Sequence, residues 1–297
     1  MLTNAEINIR DPFVVVAAEE RKYYLFGTTG ADTWSGRPAG FDVYAGADLQ
    51  HWEGPFPAFR PAPAFWSDRN YWAPEVHRYQ GRYFMFASFK AENVCRGTQV
   101  LVSDSLTGPF QPHSAGPLTP RDWECLDGTL FVDSEQQPWM VFCHEWVQVH
   151  DGEICARRLS ADLSQAVGQA ALLFRASEAP WITPYAGQTD YVTDGPFLHR
   201  AVGGELLMLW SSFNNGAYTL GVARSQSGKV TGPWSQDAEP LFKEDGGHGM
   251  IFRTFDGELM LTVHRPNSTL NERPIFVPIR ETGGILSTNL HESTLTG

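Results

Sequence analysis

A short motif followed by a strand-turn-strand pattern recurs five times along the 297 residues of this chain. The five anchor residues of these motifs are 62, 54, 67 and 54 positions apart, and they are Asp11, Ala73, Asp127, Asp194 and His248. A repeat of this length that contains only strands and turns is typical of a β-propeller, in which each repeat forms one blade. We therefore predict an all-β fold, a single five-bladed β-propeller domain that covers residues 1–297.

Three of the five anchors are aspartates. Radial repetition places equivalent positions of the blades around one central axis. Carboxyl groups that are far apart in the sequence would then meet in one pocket. Acid–base hydrolysis needs such a group, because one carboxyl must donate a proton while another stays ionised.

The composition argues against several classes of partner. The net charge is −12 and the chain has no cluster of Lys and Arg, so we expect no nucleic-acid partner. No run of 18 apolar residues occurs, so we expect no membrane partner. The segment Met1–Glu6 lacks the basic and apolar regions of a signal peptide, and we expect a cytoplasmic protein unless a leader has been removed. The oligomeric state is not predicted.

Four cysteines, Cys95, Cys125, Cys143 and Cys155, are too few for a disulfide scaffold in a chain of this size. No C-x-x-C pair occurs, so the sequence does not support zinc binding. We expect buried free thiols, with one disulfide as the alternative.

Within each repeat, two short apolar runs flank a polar turn, which predicts a hairpin, and a third strand follows. The third strand of the last repeat, Ile275–Ile279, is expected at a sheet edge because Pro278 cannot donate a ladder hydrogen bond. Long loops at residues 30–40, 55–70 and 178–190 are expected to be functional. The polar tail from Glu281 is expected to be poorly ordered in part.

Four segments carry a resemblance to a known family. They are Arg10–Pro12 at the first motif, Tyr71–Glu75 at the second, Asp48–Trp52 with the pattern D-L-x-x-W, and Ser103–Phe110 with S-x-S-x-x-G-P-F. In this order and spacing they resemble glycoside hydrolase family 43, and the resemblance covers nearly the whole chain. It implies a five-bladed propeller glycosidase with Asp11 as the general base.

The same resemblance suggests further roles. Asp127 stands where the family has an aspartate that orients the acid and tunes its pKa. His248 stands where many members have a histidine at the bottom of the pocket, often beside a central calcium ion. His248 is therefore also a candidate metal ligand, with a structural calcium in the central channel, and no cofactor is required for the reaction.

The general acid has two candidates. The family has a glutamate in an E-G-P motif, whereas this chain has Asp194 before Gly195 and Pro196. Aspartate is one methylene shorter than glutamate, so its carboxyl has less reach. Glu145 ends the second strand of the third repeat, and an antiparallel strand would return it to the rim of the pocket. Asp194 and Glu145 remain equal candidates at this point.

Five residues are predicted to bind substrate, namely Arg10, Trp72, Glu75, Trp146 and His248. Arg10 precedes Asp11, and strand alternation would turn the two side chains to opposite faces. Trp34, Trp72, Trp146 and Trp181 are either sugar platforms or core residues. An aspartate before Pro or Gly is by itself most often a turn residue, but the repeat positions favour catalytic roles for Asp11 and Asp127.

Other catalytic motifs are absent from the sequence. His144-Glu145 begins an H-E-x-x-H string, but position 148 is Gln, and no G-x-S-x-G or phosphate-binding glycine motif occurs. The prediction is an inverting glycoside hydrolase, an α-L-arabinofuranosidase or β-xylosidase type, exo-acting on arabinose, xylose or galactofuranose oligosaccharides or polysaccharides. The alternatives are a non-hydrolytic carbohydrate-binding propeller and another five-bladed sugar enzyme, such as a fructan hydrolase or a glycoside phosphorylase.

Overall fold

The computed structural model describes residues 1–30, 33–34, 36–185 and 189–288, which form five antiparallel sheets. The sheets follow one another along the chain as the blades of a five-bladed β-propeller, so the predicted fold class is confirmed. Helix is limited in the described part to α1 (Trp146–Val149) and to short 3-10 turns, including Asn4–Glu6 and Ala176–Glu178. None of the described helices has the length and apolarity that a membrane span needs.

Each blade is a four-stranded meander that starts at the axis and runs outward. Blade one contains β2 (Arg10–Ala17), β3 (Lys22–Thr28), β4 (Phe41–Gly46) and β5 (His51–Phe59), and β1 (Leu2–Thr3) pairs with the outer edge of β5. Blade two contains β6 (Arg69–Tyr79), β7 (Arg82–Ala91), β8 (Val94–Ser103) and β9 (Gln111–Pro112). Blade three contains β10 (Cys125–Val132), β11 (Pro138–His144), β12 (Glu153–Leu159) and β13 (Ala166–Arg175). Blade four contains β14 (Asp194–Arg200), β15 (Leu206–Asn214), β16 (Ala217–Ser225) and β17 (Trp234–Gln236). Blade five contains β18 (Gly247–Arg253), β19 (Leu259–Arg265), β20 (Arg273–Thr282) and β21 (Ile285–Thr288).

The segment Ile275–Ile279 lies in β20, between β19 and β21, but as far as Pro278 it pairs with β19 alone and so has the edge position that was expected. Pro278 is tolerated there since β21 pairs only with residues from Ile279 to Thr282, beyond the proline. The polar tail is ordered as far as β21, and its remainder at 289–297 lies outside the described residues. Parts of two predicted long loops, at 31–32, 35 and 186–188, also lie outside them.

All five inner strands begin with the same irregularity. The register against the second strand shifts after Arg10, Trp72, Leu126, Asp194 and Gly247. In each bulge the following residue has a left-handed φ between 45° and 56°, and these residues are Asp11, Ala73, Asp127, Gly195 and His248. The fourth anchor is therefore Gly195, and Asp194 lies one residue earlier. A bulge of this kind re-aims side chains at the end of a strand.

The core lies between neighbouring sheets, where Trp52 and Trp210 are among the largest fully buried side chains. Phe13 of blade one contacts Phe197 of blade four edge to face, with ring centroids 6.1 Å apart. Blades one and four are not neighbours, so this contact crosses the central axis.

Among the described strands, the first and last blades exchange none, and side-chain and main-chain contacts join them. Arg10 of β2 forms an ion pair of 2.8 Å with Glu272, a residue just before β20 that is 1% exposed. The Ile9 N–H donates to the Glu272 carbonyl, and Arg273 donates to the Ala5 carbonyl. Side-chain and main-chain contacts around Glu272 therefore join blade five to blade one.

The four cysteines are free, as expected, and the alternative of a disulfide is wrong. Cys125, Cys143 and Cys155 are buried within blade three, while Cys95 is half-buried. Burial raises the pKa of the Cys155 thiol to about 12, so this thiol stays protonated and packs as a small apolar group.

Candidate active site

A cavity of about 370 Å³ opens at the end of the propeller where the inner strands begin. All five blades line it, through Arg10, Asp11, Thr33, Trp34, Trp72, Leu126, Asp127, Glu145, Trp146, Tyr185, Val192, Asp194, Phe213, Tyr218, His248, Asn267 and Thr269. All but one of the predicted site residues are in this set. The exception is Glu75. Tyr218, Asn267 and Thr269 are among the lining residues that were not predicted.

Asp11 is held in place by three side chains. Its carboxylate accepts a 2.7 Å hydrogen bond from the Thr28 hydroxyl and lies 3.1 Å from Nδ1 of His248. Its backbone N–H donates to Nδ1 of His264. Burial opposes ionisation, but the charge and hydrogen bond of His248, together with Arg10, hold the pKa of Asp11 far below its ordinary value. Asp11 is ionised at neutral pH, as a general base must be.

Arg10 and Asp11 both line the cavity, although adjacent strand residues were expected to face opposite ways. That expectation is wrong because the left-handed φ of Asp11 breaks the alternation at this point. The Arg10 guanidinium lies 5.0 Å from the ring centroid of Trp34. Arg10 is therefore at once a pocket residue, a partner of Glu272 and a source of positive charge beside Asp11.

His248 lies between two carboxylates at the bottom of the pocket. Nδ1 is 3.1 Å from Oδ1 of Asp11 and 3.7 Å from Oδ2 of Asp127. Burial would lower the pKa of the imidazole, but the two negative charges outweigh it and raise the pKa to about 10. The ring is therefore an imidazolium at neutral pH and balances part of the negative charge of the site.

Asp127 is 4% exposed and accepts a 3.0 Å hydrogen bond from the Gly195 N–H. Burial raises the pKa of this carboxyl to about 8, with Asp194 and Asp11 adding to the effect and His248 opposing it. A negative charge on Asp194 therefore disfavours the ionised form of Asp127.

Asp194 faces the same cavity from the first residue of β14. Its Oδ2 accepts a 3.0 Å hydrogen bond from the hydroxyl of Tyr218. Burial raises the pKa of Asp194, and the charge of Asp11 adds to that, while His248, Tyr218 and Arg10 act in the opposite direction. A buried carboxyl with a raised pKa is suited to donate a proton.

Glu145 also reaches the pocket, from the residue that precedes α1. Its carboxylate forms an ion pair with Arg96, and both side chains are more than nine-tenths buried. The Arg96 guanidinium in turn stacks on Trp72 at 4.1 Å from the ring centroid. Burial raises the pKa of Glu145, and Arg96 acts against this shift. Sequence reasoning did not single out Arg96, because no motif surrounds it.

Glu75 does not line the cavity, so its predicted role in binding substrate is corrected. The bulge at Ala73 and Pro74 moves Glu75 down the inner strand to the level of Phe13. There it is 4% exposed and lies 3.3 Å from Nε2 of His77. Trp181 is likewise a core residue, 6% exposed and 5.1 Å from Trp210.

Aromatic side chains form two walls of the pocket. On one side Trp34 meets Trp72 edge to face at 5.1 Å, and the Trp72 indole N–H donates to the Thr33 carbonyl. On the other side Trp146, Tyr185 and Phe213 follow one another at 5.5 and 4.7 Å. Flat apolar walls above buried carboxylates suit a ligand with both apolar faces and hydroxyl groups.

A protein-ligated calcium ion does not fit the described residues. Calcium takes six to eight oxygen ligands, and within the described ranges no three His, Cys, Asp or Glu side chains are grouped as metal ligands. Nδ1 of His248 faces carboxylates, and its buried Nε2 has no hydrogen-bond partner among the described residues.

The fold and the site define a class: a five-bladed propeller with an ionised aspartate, two aspartates of raised pKa and aromatic walls in one axial pocket. The family model of glycosyl hydrolases family 43 matches residues 5–283. The chain belongs to this family and is a glycoside hydrolase, which has a carbohydrate substrate. Among curated proteins no match is found.

Solved structures agree with this assignment. An endo-arabinase from Bacteroides thetaiotaomicron VPI-5482 is 43% identical, with a TM-score of 0.87 and coverage of 96% of this chain and 98% of that one. A thermostable family-43 glycoside hydrolase is 24% identical, with a TM-score of 0.81 and coverage of 97% and 96%. An alpha-L-arabinofuranosidase from Lactobacillus brevis is 17% identical, with a TM-score of 0.74 and coverage of 95% and 93%. The last two support the fold alone.

Proposed function

We propose that this protein hydrolyses α-L-arabinofuranosyl linkages in arabinan-type glycans, with inversion and from chain ends. The observation that carries the proposal is the set of buried carboxylates around His248, where Asp11 is ionised and Asp194 has a raised pKa. The choice of arabinose is supported by the relative at 43% identity, which is an endo-arabinase. Xylosides and galactofuranosides are the competing substrates.

Asp11 is the base in this scheme and Asp194 is the acid. Asp11 takes a proton from water as the water oxygen attacks the anomeric carbon, and Asp194 gives its proton to the departing glycosidic oxygen. Inversion needs the two carboxyl groups about 6.5–9.5 Å apart, with room for water. Asp194 is preferred over Glu145 because the direct ion pair with Arg96 stabilises the ionised form of Glu145.

Action at chain ends is supported by contacts that join neighbouring blades around the rim. Trp34 donates a 3.0 Å hydrogen bond to Thr269, which links the loops of blades one and five. Arg96 and Glu145 link blades two and three, and Trp146 with Tyr185 extends the wall toward blade four. A pocket walled on several sides accepts the end of a glycan more readily than its middle.

Endo action is the second candidate, favoured by the name of the relative at 43% identity. Linear arabinan and a cross-linked, dyed arabinan separate the two modes. An exo enzyme releases arabinose from the linear polymer and leaves the dye insoluble, whereas an endo enzyme releases oligosaccharides and soluble dye. The anomer that appears first, followed by NMR, tests inversion: an α-arabinoside gives the β anomer.

The roles of the carboxyls are tested with two leaving groups, on 4-nitrophenyl α-L-arabinofuranoside and on arabinobiose. Asp11→Asn is expected to lose about 10²–10⁴ in kcat on both, because no base activates water. Asp194→Asn is expected to lose activity mainly on arabinobiose, since nitrophenolate leaves without a proton. Glu145→Gln serves as the comparison variant. It should lower kcat by the same factor on the nitrophenyl substrate and on arabinobiose. Turnover at the wild-type rate by Asp11→Asn would show that Asp11 is not the base. Binding of arabinan by the wild-type protein without hydrolysis would indicate a carbohydrate-binding propeller.

A further inference from the structure

Tyr218 is a pocket residue that the proposed scheme does not use. It lies near the start of β16, is 1% exposed, and directs its hydroxyl into the cavity. The hydroxyl donates a 3.0 Å hydrogen bond to Oδ2 of Asp194. No sequence motif marks this tyrosine, because its partner comes from a different strand of the blade.

The ring of Tyr218 is fixed from several directions. One face stacks on His264, with ring centroids 5.4 Å apart and planes inclined by 20°. Phe213 lies 5.3 Å away, and the ring edge is so close to Gly247 that a Cβ there would come within 2.7 Å of it. The hydroxyl therefore has a set position relative to Asp194 rather than a choice of partners.

The hydroxyl acts as a donor in every relevant state. Burial raises the pKa of Tyr218 well above its ordinary value, and Asp194 and Asp11 add to this. The phenol therefore keeps its proton and cannot serve as a base. Among the described residues Oδ1 of Asp194 has no hydrogen-bond donor, so this oxygen is free to carry the proton of the acid.

We propose that Tyr218 is the positioning residue of the general acid, holding Oδ2 of Asp194 so that Oδ1 carries and delivers the proton. This inference rests on the proposed role of Asp194. In the step, the Oδ1–H bond breaks, the proton joins the glycosidic oxygen, and the electron pair of the broken glycosidic bond stays on that oxygen. Asp194 is left as a carboxylate, which the Tyr218 hydroxyl stabilises.

The hydrogen bond has a predictable effect on the pH profile. A donor to the carboxylate favours the ionised form, so Tyr218 holds down the pKa of Asp194. In Tyr218→Phe this pKa should rise, and the alkaline limb of kcat/KM should move to higher pH. The acid is also weaker and less well oriented, so the loss in kcat should be at least tenfold on arabinobiose and under threefold on the nitrophenyl substrate.

Tyr24→Phe is the matched control, because Tyr24 is also buried and donates to a carboxylate, that of Glu20, away from the pocket. This variant should leave unchanged the alkaline limb of kcat/KM and the ratio of the kcat values on arabinobiose and on the nitrophenyl substrate. The double variant Asp194→Asn, Tyr218→Phe gives a cycle in which the tyrosine change should cost little once the acid is gone. This cycle compares variants of the folded enzyme, whose melting temperatures are measured alongside.

Equal losses on the two substrates, an unmoved alkaline limb, or additive effects in the double variant would overturn the inference. The failure of the proposed function looks different. If the wild type does not hydrolyse arabinofuranosyl linkages at all, the proposed function falls. If the wild type is active but Asp194→Asn shows no preference for the activated leaving group, the acid is not Asp194, and the role of Tyr218 falls with that assignment. If Asp194→Asn shows that preference and Tyr218→Phe does not, only the role of Tyr218 falls.

Discussion

At the scale of single residues, the site contains two histidines in opposite protonation states, each set by the charges around it. His248 faces Asp11 and Asp127, whose charges raise its pKa to about 10, so it is protonated at neutral pH. His264 is fully buried, and Nδ1 accepts the backbone N–H of Asp11. Burial and then Arg10 lower the pKa of His264 to about 3. Local surroundings, not the residue type, decide which imidazole is charged.

His264 should make the protein sensitive to acid. Its pKa is about 3 in the folded state and about 6.5 in the unfolded chain. Between these values the unfolded chain binds one more proton, so stability falls as the pH falls through that window. The contribution is at most about 1.4 kcal/mol per pH unit. We expect His264→Gln to flatten the dependence of the unfolding free energy on pH by this amount.

Urea unfolding at a series of pH values from 3.5 to about 7 measures this dependence. The exposed His51→Gln is the control and should leave the slope as it is in the wild type. Parallel curves for wild type and His264→Gln would contradict the assignment.

At the scale of elements, the bulge at the head of each inner strand is the device that builds the pocket. It gives one residue per blade a left-handed φ and lets two successive residues, such as Arg10 and Asp11, line the same cavity. In blade four the left-handed residue is Gly195, and a Cβ there would lie 2.6 Å from the ring of His248. The left-handed φ favours glycine but does not require it, since Ala73 has a similar φ in blade two. The close approach of the His248 ring is what excludes a side chain at this position.

Gly195→Ala should therefore damage both stability and activity. The strained φ and the contact with His248 together should cost about 1–3 kcal/mol, and displacement of the imidazole should lower kcat. Gly168→Ala is the matched control, because Gly168 has a φ of 73° and nothing within 4 Å of an added Cβ. Thermal unfolding and kcat of the two variants separate backbone strain from crowding. Equal effects in both variants would show that His248 plays no part.

At the scale of the whole molecule, contacts around Glu272 close the ring, and no strand is shared between blades five and one in the part of the chain that the structure describes. Glu272 takes an ion pair from Arg10 and a hydrogen bond from Asn8, and its carbonyl accepts the Ile9 N–H. Because Arg10 also lines the pocket, closure of the ring and the electrostatics of Asp11 depend on one side chain.

Glu272→Gln should weaken the contact between blades five and one and so lower the free energy of unfolding. Removal of one partner of a buried ion pair leaves the other charge uncompensated, which costs about 3 kcal/mol. Arg82→Gln is the control, since its pair with Asp104 is exposed and should be worth about 1 kcal/mol or less. Denaturant unfolding measures both. A loss in Glu272→Gln no larger than in Arg82→Gln would show that the ring is closed mainly by its apolar core.

Much of this protein is determined by its sequence alone. The five repeats, the all-β fold and the anchors Asp11, Asp127 and His248 follow from motifs that are local to one strand and its turn. A repeat needs only its own spacing to be recognised, and a propeller places equivalent positions at one axis whatever the loops between them do.

The tertiary structure alone decided which neighbours those residues have. The bulge moved the fourth anchor from Asp194 to Gly195, brought Arg10 into the pocket and took Glu75 out of it. The pairs of Arg96 with Glu145 and of Tyr218 with Asp194 join segments 49 and 24 residues apart. A one-residue shift of register and a contact between strands leave no periodic mark in the sequence, because they depend on how strands meet in space.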